Sequence, residues 1–452
     1  MITTPTQMIR WWTALPANVG LFVLFRLGFT VRFYYPVFTV LFLDFGLTLE
    51  QFTLLNIVWA ATIVLLEVPS GGLADTLGRR KLLLIAGGCM MVEIALIAFI
   101  PFGNTTLIFA AFLINRILSG AAEAAASGAD EALAYDSLKE VGLESRWANV
   151  LERLMRYQAA AFVIALLLGA AVYDATLMNR LGAWLGFDIA LRPETTLRWP
   201  LYLSLASAVF ITGIAWRMRE TGSSATTRIA PSVIRQTLHA ILTAARWIKQ
   251  TPEALLLVMA GLVFDSVIRL FLTLASQYYR VISYPEAAFG VIGAALSLLG
   301  LFAPRLARHL VEYQSAVRNF IILGVITFIG LWGLSLVWTY GGVLFAALLY
   351  LAMYWLNYFL SVYLNRITAS DQRATVLSFK GLAFNLGYGF IGLLYLGWLQ
   401  HLSPHHATPD GPDSDLLFID ALSAFPLYFL VTFSGLALLA WCLLRKKRPS
   451  ND

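Results

Sequence analysis

Residues 51–102 read QFTLLNIVWAATIVLLEVPSG, then GLADTLGRRK, then LLLIAGGCMMVEIALIAFIPF. Two apolar runs, Gln51–Gly71 and Leu82–Phe102, flank a short polar stretch that ends in Arg79, Arg80 and Lys81. A bilayer core of about 30 Å needs about 20 apolar residues in a helix, so each run is long enough to cross one. The stretch Gly71-Gly72-Leu73-Ala74-Asp75-Thr76-Leu77-Gly78-Arg79-Arg80-Lys81 then has to reverse the chain between two antiparallel helices. Its glycines suit a tight reversal, and its basic cluster is expected to hold the loop on the cytoplasmic side. Asp75 is placed to accept hydrogen bonds from a neighbouring helix N-terminus.

The same reading extends over the whole chain. Of 452 residues, 59% are hydrophobic and only 13% charged, and the mean hydropathy is +0.74. Soluble domains carry roughly 25% charge, so this composition calls for lipid and excludes disorder, collagen and a disulfide-stapled secreted domain. Ten further apolar runs are expected to cross: Asn18–Phe45, Thr106–Ala126, Tyr157–Asp174, Trp199–Met218, Ala254–Tyr279, Ala287–Pro304, Ala316–Thr339, Gly341–Leu364, Thr375–Leu399 and Ala421–Leu444. Cys89 and Cys442 both fall inside apolar runs and offer neither a disulfide framework nor a metal knuckle.

Charge placement tests the count of twelve. With the N-terminus inside, 24 of the 32 Lys and Arg residues, Lys380 among them, fall in or beside cytoplasmic segments, and only Arg180, Arg192, Arg198 and Arg280 fall in outer loops. One missed helix would invert every later loop, so both termini are expected in the cytoplasm. The residues before Asn18 have no apolar core of the signal-peptide kind, and Trp11 and Trp12 suit interfacial anchors. The net charge of +6 is that of inward-facing loops and does not point to nucleic acid.

The longest polar break, residues 219–253, divides the chain into residues 1–218, a cytoplasmic linker and residues 254–452. Within it, Ile234, Leu238, Ile241, Ala245 and Ile248 recur at helical spacing opposite Arg235, Arg246 and Lys249, which reads as a helix on the membrane surface. Long outer loops, Ala175–Arg198 and Gln400–Asp420, fall at matching places in the two halves. The expected fold is an all-α integral membrane protein of 12 transmembrane helices in two pseudo-symmetric six-helix bundles.

The 71–81 stretch closely resembles the G-x-L-A-D-x-x-G-R-K loop signature of the major facilitator superfamily. The resemblance implies a conformational latch formed by Gly72, Asp75, Gly78, Arg79 and Arg80. Span four continues it: Asn115-Arg116-Ile117-Leu118-Ser119-Gly120 is similar to that family's R-x-x-x-G motif, whose arginine is linked to proton coupling. The helix is expected to run on through Ser127–Leu138, where Asp130, Glu131 and Asp136 can face Arg79 and Arg80. Span five, with Ala165-Leu166-Leu167-Leu168-Gly169-Ala170-Ala171, lacks the glycine–proline–glycine pattern of the family's drug–proton antiporters.

Charges inside the spans mark candidate chemistry, since each costs roughly 2.5–3.5 kcal/mol at mid-membrane. They are Arg26, Arg32, Arg116 and Arg269 against Glu67, Glu93, Glu123 and Asp265. The resemblance places spans one, four, seven and ten around a central cavity. The substrate and coupling candidates are therefore Arg26, Arg32, Tyr35, Asn115, Arg116, Glu123, Asp265, Arg269, Tyr354, Trp355 and Asn357. Asp265 and Arg269 share a helix face and can simply neutralise each other. Arg26 and Glu67 suit a structural ion pair and, equally, a coupling site. Glu93 reads as structural, and Glu123, two turns from Arg116, reads as the better proton carrier. Pro36 is expected to kink span one.

The function expected is secondary active transport of a small solute by alternating access, coupled to protons, in the cytoplasmic (inner) membrane. Import of an anionic solute and proton-driven efflux of drugs or metabolites remain open alternatives. An intramembrane enzyme is disfavoured: His239, His309, His401, His405 and His406 all lie outside the spans, and no nucleophile motif is evident. No nucleotide-binding loop of the G-x-x-x-x-G-K type occurs. No cofactor or resident metal is expected. The partners expected are a small-molecule substrate, protons and the lipid bilayer, with no nucleic acid, and the chain is expected to act as a monomer.

Overall fold

The computed structural model describes residues 15–187, 190–221, 231–369, 372–408 and 411–445. Twelve helical stretches in it are long and apolar enough to cross a membrane, one for each run read from the sequence. The fifth and eighth are longer than those runs. Span five is a helix over Trp147–Tyr173 and span eight over Glu286–Tyr313, because each continues past its apolar segment into polar turns that hydropathy alone does not register.

Local backbone chemistry explains three further departures. Span one does not kink at Pro36; it breaks. A helix over Ala17–Thr30 stops, the chain runs non-helically through residues 31–34, and a short turn at Tyr35–Val37 leads into a second helix over Phe38–Asp44. Backbone groups freed inside a membrane need partners. Phe33 N–H finds one in Ser204 Oγ at 3.0 Å, and Val31 N–H donates to the Leu27 carbonyl. Second, the 71–81 stretch is not an open loop. Span two is helical from Leu49 to Leu77 and span three begins at Arg79. The reversal rests on Gly78 alone, at φ +90°, a conformation that L side chains rarely adopt. Third, the helix after span four does not run on. It ends at Ala126, and a separate helix, Ala129–Lys139, starts after Gly128 in the left-handed region.

The chain packs into two compact units, residues 1–37 with 62–236 and residues 38–61 with 237–452. The division therefore passes through span one at Val37 and through span two after Ala61. In the first unit, span three packs on spans four and six, and the inner helix of span one packs on span six and on Ala129–Lys139. Leu15, Val19, Phe22, Val23, Ala134, Leu138, Val150 and Leu154 form one buried cluster there. In the second unit, span seven packs on spans ten, eleven and twelve and on Phe38–Asp44. Large apolar side chains such as Leu65, Phe302 and Trp216 stay exposed, as helices in contact with lipid require. The connector contains a helix over Pro231–Gln250, with Ala244 and Ile248 buried and Arg246 and Lys249 exposed. The side chains of Ile234, Arg235 and Leu238 lie outside the described residues. On the other side of the membrane from this connector, a ribbon of two short strands pairs Ala407 with Pro412 and Thr408 with Gly411.

Candidate functional site

The break in span one decides the chemistry of the first unit. It carries Arg32 inward, where the side chain is only 3% exposed. Its Nη2 lies 3.5 Å from Glu93 Oε1 on span three, and Glu93 is wholly buried. Asn115 on span four donates its amide to the Glu93 backbone carbonyl at 3.0 Å and reaches Oε2 at 3.4 Å. The Asn115 carbonyl accepts Arg116 Nε at 2.9 Å. Ser119 also hydrogen-bonds the Glu93 side chain. Arg32 stands over the Phe29 ring at 5.3 Å and bonds the half-open Tyr35 side chain. One carboxylate thus interacts with two guanidinium groups, from spans one and four, and Asn115 links it to the second of them, Arg116. Glu123, the carboxylate favoured by the sequence, is exposed. Glu93, read as structural, is the fully buried one, and Glu123 interacts electrostatically with Arg32 and Glu93.

Arg26 is not paired with Glu67. It reaches Asp130 at 3.2 Å and Glu131 at 3.6 Å, so Asp130 serves span one and not the basic turn. No described residue hydrogen-bonds Glu67 Oε2.

The turn at Gly78 carries a second cluster. Arg79 forms an ion pair with Asp136, and Arg80 donates to the Trp216 carbonyl at 2.8 Å. Glu220, just past span six, accepts the backbone N–H of Arg79 at 2.9 Å and of Arg80 at 3.0 Å. It thereby satisfies two of the orphan donors at the start of span three. Asn18 binds both the N–H and the carbonyl of Arg219 and donates to Ser137 Oγ. Glu220 was missed in the sequence; its one signal is an isolated acid following the arginines that end span six. The surroundings of Gly72 and the side chain of Asp75 lie outside the described residues. Glu220→Ala is expected to cost about 1 kcal/mol, as loss of a helix cap does. Glu220→Gln, which keeps an acceptor, should cost less. Thermal unfolding of the purified protein in detergent reads this, and equal melting temperatures for the wild type and Glu220→Ala would contradict the capping role.

In the second unit, Asp265 and Arg269 do meet on one face of span seven: Nη2 lies 2.9 Å from Oδ1 and 2.8 Å from Oδ2. Arg269 also donates to Asn385 at 3.1 Å and stands over the Tyr388 ring at 5.6 Å. The Tyr388 hydroxyl lies 3.1 Å from Thr273 Oγ1. Lys380, assigned by sequence to a cytoplasmic segment, is half-buried on span eleven over the Phe384 ring and interacts electrostatically with Asp265. A small cavity beside this group is lined by Thr53, Asn56, Thr273 and Tyr388. The span-ten candidates have other contacts: Tyr354 donates to the Ser297 carbonyl, Trp355 packs on Phe359, and exposed Asn357 bonds its own helix at Met353. Nearer the ribbon, Arg280 bonds both oxygens of Asp44 at 2.7 Å and reaches Glu286 at 3.2 Å. His406 pairs with Asp420 at 2.8 Å, and among the described residues no three metal-ligating side chains gather.

Twelve candidate spans, with buried and hydrogen-bonded charges in each unit, and the family model below mark a multi-pass membrane transporter rather than an enzyme. The model of the Major Facilitator Superfamily matches residues 20–392, and the chain belongs to that family. Among solved structures, the nucleoside transporter NupG is similar at 12% identity and a TM-score of 0.67, covering 93% of this chain and 98% of its own. A bacterial homologue of the human lysosomal transporter Spinster, in an inward-facing and unoccupied conformation, is similar at 15% identity and a TM-score of 0.67, covering 98% of each chain. The inward open xylose transporter XylE from E. coli is similar at 15% identity and a TM-score of 0.58, covering 92% of this chain and 95% of its own. These likenesses share the fold. No curated protein matches the chain in sequence.

Proposed function

We propose that this protein is a proton-coupled secondary transporter of the cytoplasmic membrane, with both termini inside, moving an anionic or zwitterionic solute by alternating access. The observation that carries the proposal is the Arg32–Glu93–Asn115–Arg116 cluster. Protonating Glu93 removes the only negative charge it contributes between two arginines, so the cluster has two electrostatic states separated by one proton. Asp265, Arg269 and Lys380 supply a second set with one more positive than negative charge, and Tyr388 and Asn385 add groups that can orient a solute. Arg26, Asp130, Asp136, Arg79, Arg80, Gly72, Gly78 and Asp75 belong in this reading to the conformational latch, and Tyr35, Glu123, Tyr354, Trp355 and Asn357 to the path of the solute. The bundles 1–218 and 254–452, joined by the linker 219–253, are the two halves that alternate. The positive bias of the interior and the missing proline in span five favour an anion over a hydrophobic drug. A D-xylose–proton symporter of the same fold, 14% identical, is consistent with proton coupling.

The test is proteoliposomes holding an imposed pH gradient and a panel of labelled carboxylates, amino acids, sugars, nucleosides and hydrophobic cations. Gradient-dependent accumulation of an anionic or zwitterionic member is the expected result. Movement of hydrophobic cations alone would overturn the substrate class, and rates indifferent to the gradient would overturn the coupling.

A further inference from the structure

Past the end of span five the chain forms a further short helix. Asp174 ends the span and caps the next helix, Ala175–Trp184, by accepting Leu177 N–H at 2.9 Å. The Asn179 side chain is tied in both directions to the backbone of Leu191, at 3.0 and 2.7 Å. Cap and tie fix how the helix is turned. Leu181 and Trp184 on it, with Leu185 at its C-cap, follow i, i+3, i+4 spacing and share one face. They are 40%, 79% and 61% exposed, and Phe187, just beyond, is 59% exposed. Exposed Arg180 adjoins this face, and small Gly182 is buried on another. A fixed row of large apolar side chains facing outward is costly in water and needs an occupant.

Continuity with span five identifies the occupant. Span five exposes Ile164, Leu167 and Leu168, as a helix facing acyl chains does. From Leu168 to the helix end at Tyr173 is five residues, about 7.5 Å at ~1.5 Å per residue. The polar layer of one leaflet is about 5–7 Å thick. The cap at Asp174 therefore starts the Ala175–Trp184 helix at headgroup level, where tryptophan and arginine are favoured. We propose that Leu181, Trp184, Leu185 and Phe187 insert into the interfacial zone of the leaflet on the side away from the connector, making this helix a lipid-bound brace on the first unit.

The experiment uses the full chain with Cys89→Ala and Cys442→Ser, spin-labelled at single introduced cysteines at positions 181 or 185, in vesicles of phosphatidylethanolamine and phosphatidylglycerol. Labels at 164 and 194 serve as lipid-facing and aqueous controls. Power saturation with oxygen and with a water-soluble nickel chelate reads depth. Labels at 181 and 185 are expected about 5–10 Å below the phosphates, and Trp184→Ser should bring the label at 181 closer to the water. Aqueous accessibility at 181 and 185 equal to that at 194 would overturn the proposal. So would spin–spin broadening at 185 that identifies a second copy as the occupant. Neither outcome bears on coupling at Glu93.

Discussion

Glu93→Ala is expected to cost about 3–5 kcal/mol of stability and to abolish transport, because it strips the carboxylate from a site where Arg32 has almost no access to water. It also removes the acceptor facing Asn115. The loss should be larger than for Glu123→Ala, which touches an exposed side chain. Fluorescence-detected size exclusion after graded heating compares the two. A Glu93→Ala protein as stable as Glu123→Ala would mean that the ion pair does not organise the spans. A double change, Arg32→Met with Glu93→Met, should recover much of the stability, because it removes both buried charges and leaves apolar volume, while leaving transport dead. That separates the structural role of the pair from its chemical one.

The second large effect lies on span five. A Cβ added at Gly169 would fall 1.7 Å from the Phe33 carbonyl oxygen and 2.7 Å from its carbon. That backbone cannot give way cheaply: Phe33 N–H is held by Ser204, and Phe33 precedes the turn at Tyr35–Val37 on which span five packs. Gly169→Ala is expected to cost about 3 kcal/mol or more, at the upper end of overpacking, and Gly169→Leu should leave little monodisperse protein. The same assay reads both. Near-normal melting of Gly169→Leu would show that the break in span one is not pressed against span five. Because that break places Arg32, even a folded Gly169→Ala variant should transport poorly.

The spans were legible because lipid imposes a length and a composition, and the basic residues then number the crossings. Resemblance at residues 71–81 and 115–120 brought out the family. What stayed hidden were the chain's local exceptions. Nothing in Val31-Arg32-Phe33-Tyr34 marks a break more strongly than Pro36 marks a kink; the partner that accepts the Phe33 N–H there, Ser204, is distant in sequence. Gly128 looked like one more small residue in a helix, and its left-handed conformation is what turns Asp130 toward Arg26. The full burial of Glu93 stayed hidden for a more general reason. In water a buried face announces itself by apolar periodicity, but in lipid the outer face is apolar too. Glu93 shares a buried stripe with Met90, Ile94 and Ile97, yet residues on every side of span three are hydrophobic, so the stripe leaves no signal. Lys380 was assigned to a cytoplasmic segment for the same reason: near a span end, charge alone does not say whether a side chain reaches out to water or in towards Asp265.

Coupling through the buried carboxylate is most directly tested by measuring, in one set of proteoliposomes, both gradient-driven accumulation and solute exchange at equal pH for the wild type and Glu93→Gln. Glutamine keeps the shape and the hydrogen bond to Asn115 but cannot take up or release the proton. Glu93→Gln is expected to exchange solute across the membrane yet no longer concentrate it when a pH gradient is imposed. If Glu93→Gln accumulates solute against its gradient as well as the wild type does, the proton is carried elsewhere and Glu93 is not the coupling group.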